Sequence, residues 1–283
     1  MDQRVVIKRT SCQLMKNIFT FTFLSVVLLS ACQFTTPTNK QSHDIFNDTL
    51  VYQYQALHER ATDCGNKPDS SCTAVNIKYP VFKDARMLND TITKRLTQMF
   101  LMDDKMPDTS VTAMAKKFIQ AYDDFKKNEP KSAIYYTLDS YAKVLLQDSA
   151  LVTLECGGYT FQGGAHGASY TGFINWNPKV GKNINLNDII AEGKYNELTK
   201  VAEGIFRKNE KLADTASLAR DYFFKDNKFA LNNNFSVTPT GLRFIYNQYE
   251  IKPYAAGKTE LLIPYSSIKN ILRPNTAVSQ FVK

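Results

Sequence analysis

A glycine-rich segment, Gly163-Gly164-Ala165-His166-Gly167, separates two stretches in which apolar and polar residues tend to alternate. Residues 150–161 precede the segment and residues 168–177 follow it. Alternation with a period of two is typical of half-buried β-strands. Glycine within such sequence marks tight bends and bulges, because it permits backbone conformations and close approaches that a side chain forbids. The pattern therefore predicts two strands with a glycine-dependent bend between them.

Strand-like and helix-like segments divide the rest of the chain. Strand patterns occupy residues 50–57, 73–82, 133–147, 235–237, 242–251 and 260–265. Helical spacing of apolar residues covers residues 88–99, 111–125 and 187–209, and shorter helices are predicted over 215–224 and 266–272. Ser110 is placed to cap the second helix. Because strands come in runs with turn residues between them, we predict an α+β fold with mainly antiparallel sheets and packed helices.

The N-terminal segment has the pattern of an export signal. A basic residue, Lys16, is followed by an apolar run that ends at Leu29-Ser30-Ala31-Cys32. This ending resembles a bacterial lipoprotein signal, which implies cleavage after residue 31 and a lipid on Cys32. We therefore expect a signal peptide over 1–31, a lipidated tether over 32–48, and attachment to the membrane through Cys32. Gln33 favours the outer membrane, with the protein facing the periplasm.

The cysteines fit an exported protein. Cys64 and Cys72 enclose a turn-rich segment between two predicted strands, so we predict a disulfide between them. Cys156 lies in an apolar strand and is predicted to be a buried free thiol. Zinc binding is the alternative for these cysteines, but no CxxC pair or nearby histidine supports it. We predict no metal and no cofactor.

Charge argues against a nucleic-acid partner. The full chain has a formal net charge of +8. Residues 1–31 contain four basic residues and one acidic residue, so their removal lowers the net charge to +5. The remaining charges are scattered rather than gathered in a basic stripe. We therefore expect no nucleic-acid binding.

His166 is the candidate for chemistry, and three interpretations of it remain open. It is a backbone-bonded structural residue, a ligand contact, or a general base that works with a distant carboxylate. A GxSxG nucleophile motif and an HExxH metal motif are both absent from the sequence. Whether the protein is an enzyme is therefore uncertain, and no catalytic residue is assigned. The ligand-binding candidates are Tyr159, Gly163, Gly164, His166, Gly167, Tyr170 and Trp176.

Several of these residues carry a resemblance to a known family. The GGAHG segment is followed by Tyr170, Asn175, Gly181 and residues 186–190 (LNDII), and later by residues 249–257 (YEIKPYAAG) and 263–265 (IPY). In order and spacing, this set resembles the extracytoplasmic domain shared by the anti-sigma factor RsiV and the deacetylase PdaC. Residues 73–82 resemble the smaller domain that precedes it. The resemblance implies a small N-terminal α+β domain over 49–145 and a larger RsiV C-terminal-like α+β domain over 146–283.

The resemblance also implies a role in the cell envelope. In RsiV this region binds lysozyme, and in PdaC it accompanies the catalytic domain. We therefore expect a non-enzymatic envelope lipoprotein that binds a protein such as lysozyme, or peptidoglycan fragments. Asp103-Asp104 and Asp123-Asp124 are candidates for the acidic patch that a basic lysozyme requires. The alternatives are a cell-wall hydrolase that uses His166, and a structural or assembly lipoprotein of the outer membrane.

Overall fold

The computed structural model describes residues 50–101 and 106–282. The predicted signal peptide, Cys32 and the whole predicted tether lie outside these residues, as do Asp103 and Asp104. Asp123 and Asp124 lie on a helix, where Asp124 accepts hydrogen bonds from Gln120 and Lys127. Within the described residues, every helix is too short or too polar to span a bilayer.

The larger of two sheets has six strands in the order in which they occur along the chain. Neighbouring strands are antiparallel except β2 and β3, which are parallel. The strands are β1 (Tyr52–Arg60), β2 (Ala74–Phe82), β3 (Thr137–Gln147), β4 (Val152–Phe161), β5 (Ala168–Asn177) and β6 (Lys182–Asn183). Parallel neighbours need a long crossover connection, and residues 83–136 supply it.

Two helices of that connection cover one face of the sheet. Helix α1 (Arg86–Gln98) buries Leu88, Ile92 and Leu96, and α2 (Val111–Asn128) buries a stripe that includes Phe118 and Tyr122. As predicted, Ser110 caps α2, because its hydroxyl oxygen accepts a hydrogen bond from Ala113 N at 3.1 Å. These apolar side chains form the first hydrophobic core, together with one face of β2 to β5.

A second hydrophobic core lies around the smaller sheet. Strands β7 (Phe235–Val237), β8 (Gly241–Tyr246) and β9 (Thr259–Pro264) pair antiparallel in that order. The helices packed around them are α3 (Leu186–Ile189), α4 (Tyr195–Asn209) and α5 (Tyr265–Ile268). Buried residues of α4, such as Leu198 and Phe206, belong to this core with Phe244 and Leu261 of the sheet. The predicted α+β class with mostly antiparallel sheets is confirmed.

The two sheets meet through one buried asparagine on β5. The Asn175 side chain is only 4% exposed. Its Nδ2 donates to the Phe235 carbonyl at 2.9 Å, and its Oδ1 accepts from the Val237 backbone N–H at 2.8 Å. The amide thus pairs with the free edge of β7 as the backbone of a neighbouring strand does. Because both backbone groups are buried, this pairing satisfies them where water cannot.

A second asparagine makes the reciprocal contact. Asn247 follows β8, and its Oδ1 accepts from the Thr171 backbone N–H at 2.8 Å while its Nδ2 donates to the Thr171 carbonyl at 3.0 Å. Asn234 Nδ2 also donates to that carbonyl, at 2.7 Å. The open edge of β5 is therefore closed by side-chain amides from the smaller sheet and its flanking turns, which protects it from pairing with other chains.

Two of the predicted elements differ from the structure, and the predicted domain boundary falls within a strand. Residues 215–224, predicted as a helix, form turns instead. Backbone groups of this segment bond to other parts of the chain: the Ala216 carbonyl accepts from Arg207, and the Phe223 N–H donates to the Ile251 carbonyl. The strand predicted over 242–251 ends at Tyr246, because the chain turns at Asn247 to place its amide on β5. The predicted boundary between residues 145 and 146 falls inside β3, and the two-domain division stays a prediction.

The cysteines are arranged as predicted. Cys64 and Cys72 form a disulfide that closes the connection between β1 and β2. Cys156 is a free cysteine within the first core. Burial raises the pKa of its thiol to about 12, so it is uncharged at neutral pH and suited to apolar packing rather than nucleophilic chemistry.

Replacing Asn175 should weaken the whole molecule. In Asn175→Ala, two buried backbone groups of β7 lose their partners, and we expect the free energy of unfolding to fall by about 2–5 kcal/mol. Urea denaturation followed by circular dichroism measures the loss. The matched control is Asn196→Ala on the exposed face of α4, which should change stability by less than about 0.5 kcal/mol. Equal stability losses in the two variants would contradict the bridging role.

Candidate functional site: an aromatic cleft at the GGAHG segment

The GGAHG segment lies in the connection between β4 and β5, as the sequence pattern predicts. Gly163 and Gly164 have φ angles of 91° and 87°, which a residue with a side chain rarely adopts. Their role is to shape the turn, and neither lines the cleft described below.

Gly167 differs from these two glycines, because the absence of a side chain allows the Tyr159 ring to approach its backbone closely. A Cβ at this position would lie 2.4 Å from Cζ and from the hydroxyl oxygen of Tyr159, and 2.5 Å from the Thr160 carbonyl oxygen. The Tyr159 ring therefore packs directly on the Gly167 backbone, and 38% of the residue remains exposed. This contact fixes the end of the hairpin from which the site is built.

His166 is held by a backbone hydrogen bond on one side and by two tyrosines on the other. Its Nδ1 lies 3.0 Å from the Gly167 carbonyl oxygen, which can only accept, so Nδ1 carries the proton. Nε2 is then the acceptor for the Tyr249 hydroxyl at 3.3 Å. The imidazole also stacks on the Tyr254 ring, with centroids 3.8 Å apart and planes 17° from parallel. Position and tautomer are thus both set.

The two tyrosines come from the turn after β8 and from a short 3₁₀ helix (Tyr254–Ala256). Tyr249 has a φ of 65°, a left-handed conformation that is unusual for a bulky residue, and it is 57% exposed. Such backbone strain costs roughly 1–3 kcal/mol and occurs preferentially at functional sites. The turn is held by Glu250, whose carboxylate accepts from the Asn247 backbone N–H at 2.8 Å and from Asn232 at 2.6 Å.

Tyr170 approaches from the helical side of the sheet. Arg95 of α1 lies beneath it and donates to the Tyr170 hydroxyl at 3.3 Å and to the Phe173 carbonyl at 3.4 Å. Tyr170 is thereby positioned at the junction between the end of α1 and the GGAHG segment.

These residues surround a cleft of about 450 Å³, called here the aromatic cleft. Its volume lies in the range of small-molecule sites. Its lining consists mainly of ring-bearing and amide side chains: Phe100, Phe161, His166, Tyr170, Tyr249 and Tyr254, with Gln162, Asn247 and Gln248. None of the described lining residues carries a carboxylate, an ammonium or a guanidinium group. Rings offer flat apolar faces, and the amides offer both hydrogen-bond donors and acceptors.

The predicted site residues therefore separate into groups. His166, Gly167 and Tyr170 line the aromatic cleft, whereas Tyr159 lines a neighbouring groove on the sheet. Trp176 is only 4% exposed and packs in the first core, so the structure does not support it as a ligand contact. Cys32 lies outside the described residues.

Tyr249 and Tyr254 were not among the predicted site residues. They follow His166 by more than eighty positions, and no local pattern connects the two regions. The signal that was present is the YEIKPYAAG stretch, which carries the family resemblance and contains both tyrosines.

The surroundings of His166 in the described structure are rings and neutral hydrogen-bonding groups. The contacts of His166 within the described part of the chain are a carbonyl, a hydroxyl and two rings. In the same residues no cluster of histidine, cysteine, aspartate and glutamate suits a metal ion. The described lining of the cleft therefore offers ring faces and amide groups rather than charged groups.

Adding a methyl group at Gly167 should disturb the hairpin end. The methyl group of Gly167→Ala pushes the Tyr159 ring and the Thr160 carbonyl away from position 167. We expect the free energy of unfolding to fall by about 1–3 kcal/mol. Thermal and urea unfolding measure the change. The control is Gly204→Ala, which meets no atom within 4 Å on α4 and should raise stability by up to about 1 kcal/mol. Unchanged stability in Gly167→Ala would show that the close contact is not required.

Comparison with known proteins places these features in a family context. Residues 66–169 match the family model described as deacetylase PdaC, and residues 187–266 match the model described as a protein of unknown function, DUF3298. A search of curated proteins found no match.

Two solved structures share the fold. One is a DUF3298 family protein from Pseudomonas aeruginosa PAO1, with 25% identity and a TM-score of 0.64 over 80% of this chain and 95% of that chain. The other, from Bacteroides fragilis, has 22% identity and a TM-score of 0.62 over 82% of this chain and 97% of that chain. The matches confirm the predicted similarity of this chain to the PdaC- and RsiV-like extracytoplasmic domain family.

Proposed function

We propose that this protein is a non-enzymatic lipoprotein of the bacterial cell envelope that binds peptidoglycan fragments, with a sugar of the glycan held in the aromatic cleft. The observation that carries the proposal is the stacked pair of His166 and Tyr254 at the cleft wall. Paired rings present a preorganised apolar surface, and such a surface complements the flat C–H face of a hexose.

The amides around the cleft suit the remaining groups of an N-acetylated sugar. Asn247 binds the Thr171 backbone through both its amide oxygen and its amide nitrogen, and the Gln248 amide oxygen accepts from the Ser169 backbone N–H. They are therefore held in fixed orientations beside the cleft, so less side-chain entropy is lost on binding. Gln162 is exposed and also lines the cleft. Amide donors and acceptors match the hydroxyl and acetamido groups that distinguish such sugars.

A hydrolytic function is less well supported by the geometry. Glycan hydrolysis of the usual kind needs two carboxylates about the scissile bond. His166, the residue on which the alternative rests, already has its Nδ1 proton on a carbonyl and its Nε2 on the Tyr249 hydroxyl. Binding and release without bond cleavage is the function that these contacts favour.

The first test of the proposal is whether sugar binding depends on the stacked pair of His166 and Tyr254. In Tyr254→Ala the stacking surface is lost, and we expect affinity for an N-acetylglucosamine trimer to fall about tenfold. Isothermal titration calorimetry of the full chain in detergent measures it, and Tyr195→Ala, an exposed tyrosine on α4, should bind like the wild type.

Lysozyme is tested in parallel, because it is the protein ligand that the family resemblance implies. Trimer binding that is unchanged in Tyr254→Ala would contradict the cleft as the sugar site. Binding of lysozyme alone, with inhibition of its activity, would replace the glycan with a protein ligand. Release of shorter sugars from the trimer or from peptidoglycan would replace the binding module with an enzyme.

The envelope location is a separate part of the proposal and has its own test. Cells grown with an alkyne-labelled fatty acid should incorporate the label into the wild-type protein and into Cys156→Ser, but not into Cys32→Ser. The reason is that Cys32 supplies the thiol that is lipidated, whereas Cys156 is buried. Equal labelling of all three proteins would exclude Cys32 as the attachment site.

A further inference from the structure

A second opening lies on the face of the six-stranded sheet that is not covered by α1 and α2. This sheet-face groove has a volume of about 460 Å³. Its side chains follow the strand register, in which His58, Asn76, Asp139 and Tyr159 are successive cross-strand partners on β1 to β4. Directly paired residues point to the same face of a sheet, so these four side chains form one row.

Hydrogen bonds connect His58, Asn76 and Asp139 in this row and fix the position of the Asp139 carboxylate. Asn76 Nδ2 donates to Asp139 Oδ1 at 2.9 Å, which turns the Asn76 Oδ1 atom towards His58 Nδ1, 2.7 Å away. His58 Nδ1 also lies 3.7 Å from a carboxylate oxygen of Asp69. Asp139 makes no ion pair with a described residue, and it is an exposed residue that lines the groove.

A cation stands one row away from this carboxylate. Lys78 is exposed on β2 and pairs in register with Tyr141, and its Nζ lies 5.4 Å above the Tyr54 ring. Lys78 also makes no ion pair with a described residue. Opposite charges one row apart on a sheet, each without an ionic partner in the described chain, suit a ligand that carries both charges.

The groove wall is rigid. Tyr141 donates its hydroxyl to Glu155 Oε1 at 2.8 Å, and Lys143 binds the same oxygen at 2.8 Å. Burial acts to raise the pKa of the Glu155 carboxyl, but the hydrogen bonds from Lys143 and Tyr141 outweigh it and hold that pKa below its usual range. Glu155 therefore stays ionised at neutral pH and keeps the Tyr141 ring in place.

The groove and the aromatic cleft are neighbours. Tyr159 forms one end of the groove and packs on Gly167, which lines the cleft. The Tyr159 ring thus lies between the cleft residue Gly167 and the row of Asp139 and Asn76. The two sites differ in character, since the groove contains charged side chains and the described lining of the cleft contains none.

We propose that the sheet-face groove binds the short charged peptide attached to the glycan, with Lys78 facing a peptide carboxylate and Asp139 facing a peptide ammonium group. This inference rests on the proposed function, because it assigns the sugar to the aromatic cleft and the peptide to its neighbour. The protein would then recognise the junction between sugar and peptide rather than the glycan alone.

The test compares two forms of one probe. The first is a disaccharide-tetrapeptide with free amine and carboxylates, and the second has its amine acetylated and its carboxylates amidated. Titration calorimetry of the full chain in detergent should show about tenfold tighter binding of the charged form. Lys78→Met and Asp139→Asn should each reduce affinity for the charged form about fivefold and leave the capped form unchanged. Lys116→Met, an exposed lysine on α2, serves as the control.

The outcomes separate this inference from the proposed function. Equal affinity for the two forms, or variants that weaken both forms alike, would overturn the groove assignment. If the sugar trimer still binds in a Tyr254-dependent manner, the proposed function stands without it. If the trimer does not bind, the free tetrapeptide tests the groove alone: Lys78-dependent binding supports the groove, and no binding overturns it as well.

Discussion

The pairing of side-chain amides with strand edges is the interaction on which the rest of the structure depends. Asn175 of the large sheet bonds to the edge of β7, and Asn247 of the small-sheet region bonds to the edge of β5. Each amide replaces a missing strand. Without these contacts, the two sheets would have unpaired backbone groups at a buried junction, which is costly because no water is present to satisfy them.

The same contacts determine where the aromatic cleft forms. Asn247 is anchored on β5, and Tyr249 follows two residues later in a strained left-handed conformation. The anchor and the strain together place the Tyr249 hydroxyl against His166, which lies 83 residues earlier in the chain. The shape of the cleft therefore depends on the hydrogen bonds that join the two sheets.

The sequence predicts the parts of this arrangement that depend on local periodicity and local chemistry. The bend at GGAHG, the Ser110 cap, the Cys64–Cys72 disulfide and the buried Cys156 were all predictable, because each is a consequence of neighbouring residues. Trp176 shows where this reasoning fails. Alternation assigns it to the same face of β5 as Tyr170, but only the packing of the helices decides which end of that face is covered.

Asn247 illustrates a different limit. Its position continues the alternation of β8, so periodicity extends the strand through residue 251. In the structure its amide finds a better partner on β5, and tertiary bonding ends the strand at Tyr246. Tyr249 and Tyr254 enter the site for the same reason. Contacts between positions so far apart in sequence leave no trace in the local pattern.

The parallel pairing of β2 with β3 has a consequence for how the protein folds. The β1–β2 hairpin and the β3–β4–β5 meander each form from strands close in sequence, whereas their junction must wait until the crossover of α1 and α2 is in place. Long loop closures are slow because their entropy is lost before any contact compensates it. During that interval both halves expose a bare strand edge, and the newly made chain is at its most vulnerable to aggregation.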